Sequence, residues 1–211
     1  MKKLSTAFRA WAGLTAALYW LWGLVYFPTL LPDYQAISQT ISELGAFSTP
    51  LANRVNYAWS LPLGLLQCWA VFGERRQRDL PDDVRNGLVG LGCVGIAYAT
   101  GALFPCDPGS PLWGSWRQLL HNLFGSLEYL GGGIGLLLLA ASRRNQRPLA
   151  IALQWSGITV LAALLLMTIP QLFCIRGAVQ RIADILLFGW LAWACGLRAR
   201  GVLLWKTPDQ R

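Results

Sequence analysis

Six long apolar segments follow one another along this 211-residue chain and restrict the folds it can adopt. Each is close to the roughly 20 residues that an α-helix needs to cross the hydrocarbon core of a bilayer, and none has the two-residue alternation of a membrane β-strand. Charged residues make up 13% of the chain, against about 25% in an average soluble domain. The sequence therefore predicts an all-α membrane protein, a six-transmembrane-helix bundle. It would form a single integral membrane domain over 1–211, with helices at about 7–31, 51–73, 86–105, 117–141, 149–173 and 179–197.

The basic residues are distributed unevenly between the two ends of these segments. Of the 18 Lys and Arg residues, 14 lie at one end of the segments. They are found at the start of the chain, in the loops after the second and fourth segments, and after the sixth segment. The positive-inside rule then predicts that both termini are cytoplasmic and that the other three connections face outward. Because the net charge of +8 is spread over separate loops and tails, it indicates topology and argues against a nucleic-acid partner.

The outward connections hold most of the residues that could carry chemistry. His121 is the only histidine and lies about one turn inside the fourth segment, after Asp107 in the preceding loop. It could activate Ser38 or Ser42 as a nucleophile, with Asp107 or Glu43 orienting the ring. The alternative is that Ser42 caps the start of a helix. With one histidine in the chain, the sequence predicts no metal and no cofactor.

Two acidic residues fall within predicted membrane spans. Glu128 lies two turns after His121 on the same helix face, near the middle of the fourth span, where a carboxylate is costly unless it is protonated or paired. It could be functional, or it could be a protonated residue that hydrogen-bonds a neighbouring helix. Asp184 follows Arg181 by three residues, close enough for a pair on one helix. Arg181 could instead bridge to an outer-loop carboxylate or bind an anionic head group.

Cysteines and glycines give two further predictions. Cys106 and Cys174 each lie just outside a predicted helix on the outward side, where a disulfide between them is plausible. Cys68, Cys93 and Cys195 fall within spans and are expected to behave as small apolar residues. The glycines of the fourth segment follow no strand and so form no phosphate loop; close helix packing is their expected use.

Several short motifs together resemble one family of bacterial and archaeal membrane proteins, domain-of-unknown-function family 998. They are Ser42-Glu43-Leu44-Gly45, Phe104-Pro105 with Asp107, His121-Asn122-Leu123-Phe124-Gly125, and Gly177 with Gln180-Arg181. The resemblance implies a six-helix fold with a polar cluster on the outer face, and it implies no reaction. The Ser-x-x-Gly motif followed by Pro50 is also distantly similar to the six-helix group that includes the Frag1, DRAM and Sfk1 proteins, some of which are linked to lipid remodelling.

Taken together, the sequence predicts a multi-pass protein of the bacterial inner membrane whose polar outer-face site binds or modifies lipid head groups. The residues expected to bind the ligand are Arg181, Gln180, Asn122 and Glu128. Two other functions stay open: a small-solute or proton-coupled transporter that uses the intramembrane acids, and a non-catalytic assembly or accessory protein. Membrane lipids are the expected partners, together with a second copy of the chain or another membrane protein.

Overall fold

The computed structural model describes residues 2–75 and 80–199. Within these ranges the chain is all-α and forms six α-helices, which confirms the predicted fold class. They are α1 (Lys2–Tyr26), α2 (Leu61–Arg75), α3 (Asp82–Leu103), α4 (Trp116–Ala141), α5 (Arg147–Met167) and α6 (Arg176–Ala199). Short 3-10 segments occupy Phe27–Leu30, Ile41–Gly45 and Pro170–Ile175, and a π-helical segment, Arg54–Ser60, leads directly into α2.

Three of the helices, α3, α4 and α5, are long and apolar enough to cross a membrane. The outward surface of α4 carries a stripe of exposed apolar side chains at helical spacing: Leu119, Leu123, Leu127, Leu130 and Ile134. A stripe of this kind is typical of a surface that meets lipid or another protein. Five of the basic residues behind the topology prediction, Arg76, Arg78, Arg200, Lys206 and Arg211, lie outside the described residues. The orientation of the termini stays a prediction.

The six helices form a closed ring. Each helix packs against its neighbours in sequence, and α6 packs against α1. The connections α1–α2, α3–α4 and α5–α6, here the first, second and third polar loops, meet at one end of the ring. Phe47 of the first loop donates its N–H to the Cys106 carbonyl of the second at 2.9 Å, and Ala178 N–H donates to the Ile37 carbonyl at 2.8 Å. Successive helices therefore run in opposite directions, and we call this end the polar end.

Glycines bring α3 and α4 into backbone contact. A Cβ on Gly90 would overlap the carbonyl oxygen of Gly131, and a Cβ on Gly135 would lie 2.7 Å from the carbonyl oxygen of Gly87. Any larger residue at these positions would force the two helices apart. The glycine-rich part of α4 is thus a packing surface, which confirms the sequence prediction.

Prolines explain where the predicted helix boundaries were wrong. The fifth helix was expected to continue to 173, but it ends at Met167, and Pro170 begins a 3-10 segment that runs to Ile175. The first helix ends at Tyr26, just before Pro28, and not at 31. In both cases the ring of proline, which lacks an N–H and disfavours helical backbone in the residue before it, stops the α-helix earlier than hydrophobicity indicates.

Candidate functional site

Two adjoining cavities lie at the polar end of the ring. The outer cavity, of about 380 Å³, lies between the polar loops and the ends of α4, α5 and α6. The inner cavity, of about 70 Å³, reaches further into the bundle between α3, α4 and the π-helical segment. Five residues line both cavities: Ser42, His121, Gly125, Tyr129 and Gln180. The space beside Gly125 is open, since a Cβ there would meet nothing within 4 Å.

His121 lies at the junction of the two cavities, and a backbone carbonyl orients its ring. Its Nδ1 is 2.9 Å from the carbonyl oxygen of Phe104. Because a carbonyl can only accept, Nδ1 carries a hydrogen, and the neutral ring presents Nε2 as a proton acceptor. Ser42 lines the same two cavities, and its hydroxyl has no hydrogen-bond partner among the described residues. A hydroxyl and an imidazole thus line the same two cavities, and the Phe104 carbonyl orients the imidazole.

Asp107 stabilises the start of α4. The sequence suggested that it could orient His121, but its hydrogen bonds go elsewhere. Its Oδ2 accepts the Ser115 N–H at 2.7 Å, and its Oδ1 accepts the Ser115 hydroxyl at 2.8 Å. Its own N–H donates to Gln118 Oε1 at 2.7 Å. The hydrogen bonds from Ser115 favour the ionised carboxylate and lower the pKa of Asp107 below its ordinary value. Both of its oxygens are therefore occupied at the helix terminus.

Glu43 forms a buried ion pair with Arg176. Glu43 Oε1 and Arg176 Nη2 are 3.0 Å apart, and the two side chains are 7% and 8% exposed. Oε1 also accepts the N–H of Thr40 at 2.8 Å. The guanidinium donates further to the carbonyl oxygens of Gly109 and Ser110, each at 2.8 Å. One side chain at the end of the third polar loop therefore connects the first and second loops, and we call this arrangement the Arg176 lock.

Arg181 holds the first polar loop against α6. Its Nη1 donates to the carbonyl oxygens of Ala36 at 2.6 Å and Gln39 at 3.0 Å, and its Nη2 donates to the Tyr34 hydroxyl at 2.6 Å. Among the described residues Arg181 forms no ion pair with Asp184 or any other carboxylate, and it lines neither cavity. The predicted ion pairs of Arg181 are not formed among the described residues, because backbone carbonyls and the Tyr34 hydroxyl occupy its guanidinium. Its predicted contact with a ligand stays a prediction.

Gln180 and Asn122 line the cavities and also fasten the loops. Gln180 Oε1 accepts the N–H of Ile41 at 2.6 Å, and the residue lines both cavities. Asn122 donates to the Leu112 carbonyl at 2.9 Å and accepts from Gln118 Nε2 at 2.8 Å, and it lines the outer cavity. Both residues are thus placed to contact a ligand while they hold the cavity wall in shape.

The two buried acids have different surroundings. Asp184 is fully buried, and its oxygens accept hydrogen bonds from the hydroxyls of Tyr98 at 2.7 Å and Tyr129 at 3.0 Å. The indole of Trp20 donates to the Tyr98 hydroxyl at 2.9 Å, so this network joins α1, α3, α4 and α6. Glu128 is 6% exposed and lines the inner cavity, and its Oε1 is buried without a hydrogen-bond partner among the described residues. Asp184 is therefore satisfied by protein donors, whereas Glu128 is not.

The predicted disulfide between Cys106 and Cys174 is not formed, and no cysteine of the described residues takes part in a disulfide. Cys106 is fully buried beneath the first polar loop, where its Sγ donates to the Ser42 carbonyl at 3.3 Å. Burial raises the pKa of this thiol to about 12. Cys174 is exposed on the third polar loop. The prediction is wrong in this structure because one thiol lies inside the bundle end and the other faces outward.

Sequence reasoning missed three parts of the site: Arg176, Tyr129 and the π-helical segment, which contributes Asn56 and Ser60 to the inner cavity. The charge of Arg176 was a usable signal, since a chain with few charges is expected to pair those at the same end. π-helical segments often occur at functional sites, but no sequence pattern marked this one. No group of three or more His, Cys, Asp or Glu side chains in the described residues is arranged to hold a metal ion.

These features define a helical bundle with candidate membrane spans and a two-part polar cavity at one end. The chain belongs to the family described as protein of unknown function (DUF998), whose model matches residues 14–197. The match covers every residue that lines the two cavities and confirms the resemblance noted from the motifs. No curated protein and no solved structure has a significant match to the chain. The weaker likeness to the Frag1, DRAM and Sfk1 group stays a prediction.

Proposed function

We propose that this protein crosses the bacterial inner membrane six times as a single integral domain, and that its outer cavity binds a lipid head group. The distribution of basic residues supports cytoplasmic termini and a polar end that faces the outer leaflet. Head groups lie at the same depth as a cavity formed by helix ends and short loops. The site would thus meet its ligand without the ligand leaving the bilayer.

The division of the outer cavity into polar and apolar walls carries this proposal. One side presents hydroxyl, amide and imidazole groups, including Ser42, His121 and Asn122. Another side presents Leu164 and Met167 from the end of α5. A volume of about 380 Å³ falls in the usual range of small-molecule sites, about 300–1,000 Å³. An amphiphile with a polar head and the first part of an acyl chain matches both walls.

The charge of the cavity narrows the class of head group. Apart from the titratable His121, Arg176 is the only basic side chain in the outer lining, and Glu43 neutralises it in the Arg176 lock. The remaining polar lining consists of uncharged hydrogen-bonding groups. Such a lining favours an uncharged or zwitterionic head group rich in hydroxyls or amides over a strongly anionic one, because no free guanidinium is available for a phosphate.

Ser42 and His121 could also give this binding site a catalytic activity toward lipid esters. Nε2 of His121 can accept a proton from a hydroxyl, and Ser42 supplies a hydroxyl that lines the same space. A bound lipid with an ester group could then be attacked at its carbonyl carbon by the Ser42 oxygen, as the Ser42 proton passes to His121. The ester C–O bond then breaks, the alcohol leaves with that proton, and water releases the acyl group from Ser42. Binding alone needs none of these steps, so Ser42 separates the two possibilities.

The test is the lipid content of the purified protein. The protein is extracted in native membrane discs, and the lipids in the discs are compared by mass spectrometry for wild type, His121→Ala and Leu123→Ala. Leu123 lies on the exposed face of α4, away from the cavity, and serves as the matched control. We expect one head-group class to be enriched with the wild type and the Leu123 variant and to fall toward the bulk membrane composition in the His121 variant.

Three results decide between the alternatives. Equal lipid profiles for the wild type and the His121 variant, at equal yield and thermal stability, would refute head-group binding at this cavity. Enrichment that survives in Ser42→Ala, with no new lipid species formed by the wild type, would assign binding without chemistry. A new lipid product that disappears in Ser42→Ala would assign an acyl-transfer or hydrolytic activity.

A further inference from the structure

Glu128 is the buried titratable group that the head-group site does not use. It is 6% exposed, lies on α4 two turns below His121, and faces the inner cavity. Its Oε1 has no hydrogen-bond partner among the described residues. An ionised carboxylate in this position would carry a large desolvation cost, whereas a protonated carboxyl group can remain and exchange its proton with water.

The inner cavity has room for that water. Its volume of about 70 Å³ exceeds the roughly 10–15 Å³ that one water molecule requires, and its lining includes Ser42, Asn56, Ser60 and Tyr98 as polar partners. The cavity also adjoins the outer one through the shared residues at the junction, where Gly125 leaves open space. A path for water from the polar end to Glu128 would therefore run through this junction.

We propose that the inner cavity is a proton-binding chamber in which Glu128 exchanges its proton with water that enters from the outer cavity past His121 and Gly125. In the exchange, the O–H bond of the Glu128 carboxyl group breaks, the proton passes to water or to Nε2 of His121, and the carboxylate later recovers a proton by the reverse step. While Glu128 is ionised, the polar groups of the cavity lining stabilise its charge. This inference does not rest on the proposed head-group binding, since the Glu128 carboxyl group lines the inner cavity only.

The groups around Glu128 assign it, and not Asp184, as the exchanging acid. Both oxygens of Asp184 already accept hydroxyl hydrogen bonds from Tyr98 and Tyr129, which stabilises its ionised form and separates it from the cavity. The titratable or charged groups around Glu128 and its neighbour Asp184 come from three helices. They are Arg181 on α6, Tyr98 on α3, and Tyr129 and His121 on α4. The π-helical segment lines the cavity with Val55, Asn56 and Ser60, none of which titrates.

Infrared difference spectroscopy of the purified protein in lipid nanodiscs tests this assignment. A protonated carboxyl group in an apolar site gives a separate C=O stretching band that shifts when the sample is moved into D₂O. We expect the wild type to show this band, Glu128→Gln to lose it, and Asp33→Asn to keep it. Asp33 is exposed on the first polar loop and is the matched control.

A second variant tests the route. Leucine at Gly125 fills the junction, so we expect Gly125→Leu to keep the band and to slow its shift in D₂O by about tenfold or more, because the room for water is removed. The proposal is overturned if the wild type lacks the band or if Glu128→Gln retains it. It is also overturned if Gly125→Leu, folded with the wild-type thermal stability, exchanges at the wild-type rate. A change of the band with Na⁺ at constant pH would assign the chamber to a metal cation and would equally refute proton binding.

Discussion

The Arg176 lock gives a quantitative prediction about what holds the polar end together. Replacing Arg176 with methionine keeps most of the side-chain volume and removes three hydrogen bonds: one to Glu43 and one each to the Gly109 and Ser110 carbonyls. Breaking a buried ion pair from one side costs about 3–5 kcal/mol, because the remaining charge stays buried. Glu43 keeps its hydrogen bond from the N–H of Thr40, so we expect a loss near 3 kcal/mol, the lower end of the range.

Thermal unfolding in nanodiscs, followed by tryptophan fluorescence, measures this loss. At about 2–4 °C per kcal/mol for a chain of this size, Arg176→Met should lower Tm by about 6–12 °C. Arg54→Met is the matched control: Arg54 is exposed, and its variant should change the free energy of unfolding by no more than about 0.5 kcal/mol. Adding Glu43→Gln to Arg176→Met should cost less than the two single losses combined, since the pair is already broken. If Arg176→Met and Arg54→Met unfold at the same temperature, the lock does not stabilise the fold.

The remaining predictions concern packing, acid stability and cysteine access. Gly90→Ala should lower Tm because its Cβ would overlap the backbone of α4. Gly125→Ala should leave Tm unchanged or raise it, because its Cβ would meet nothing and alanine favours a helix over glycine by up to about 1 kcal/mol. Equal shifts of Tm in the two variants would refute the packing argument. The lowered pKa of Asp107 means that its stabilising contribution is present above the ordinary carboxyl pKa and is lost as the pH falls through the lower folded value, so Asp107→Asn should weaken the acid dependence of Tm below about pH 4, and an unchanged profile would contradict this. A membrane-impermeant maleimide added to intact spheroplasts at pH 8 should label Cys174 and leave Cys106 unmodified, as read by mass spectrometry; labelling of Cys174 only after the membrane is opened would reverse the proposed topology.

Apolar periodicity predicted the helices well because a membrane span has few alternative structures. The fold class and the number of helices follow from where long apolar segments begin and end. The errors lie at Pro28 and Pro170, where local backbone chemistry stops a helix inside an apolar stretch. A hydrophobicity average over many residues hardly changes with one proline. The restriction that proline places on the backbone, which sets the end of the helix, is therefore absent from that average.

The site was predicted less well because its contacts join residues far apart in the chain. His121 and Ser42 line the same cavities, but the group that orients the imidazole is a backbone carbonyl, which no sequence pattern identifies. The partner of Glu43 lies 133 residues away. Arg181, one candidate to bridge to an outer-loop carboxylate, instead binds backbone carbonyls. Charge and residue type limited the candidates correctly; choosing among them required the packing of three loops.

The packing of α6 against α1 has a consequence for how the helices can be connected. Because successive helices alternate in direction, the start of α1 and the end of α6 lie at the same end of the ring, opposite the polar end. The order of the helices in space is thus independent of where the chain is cut at that end. A circularly permuted gene that starts at α3, links α6 to α1 and stops after α2 would keep every helix–helix interface and all three polar loops. It would rebuild the same cavity from a different starting residue, because the helix ends to be joined lie at one end of the ring.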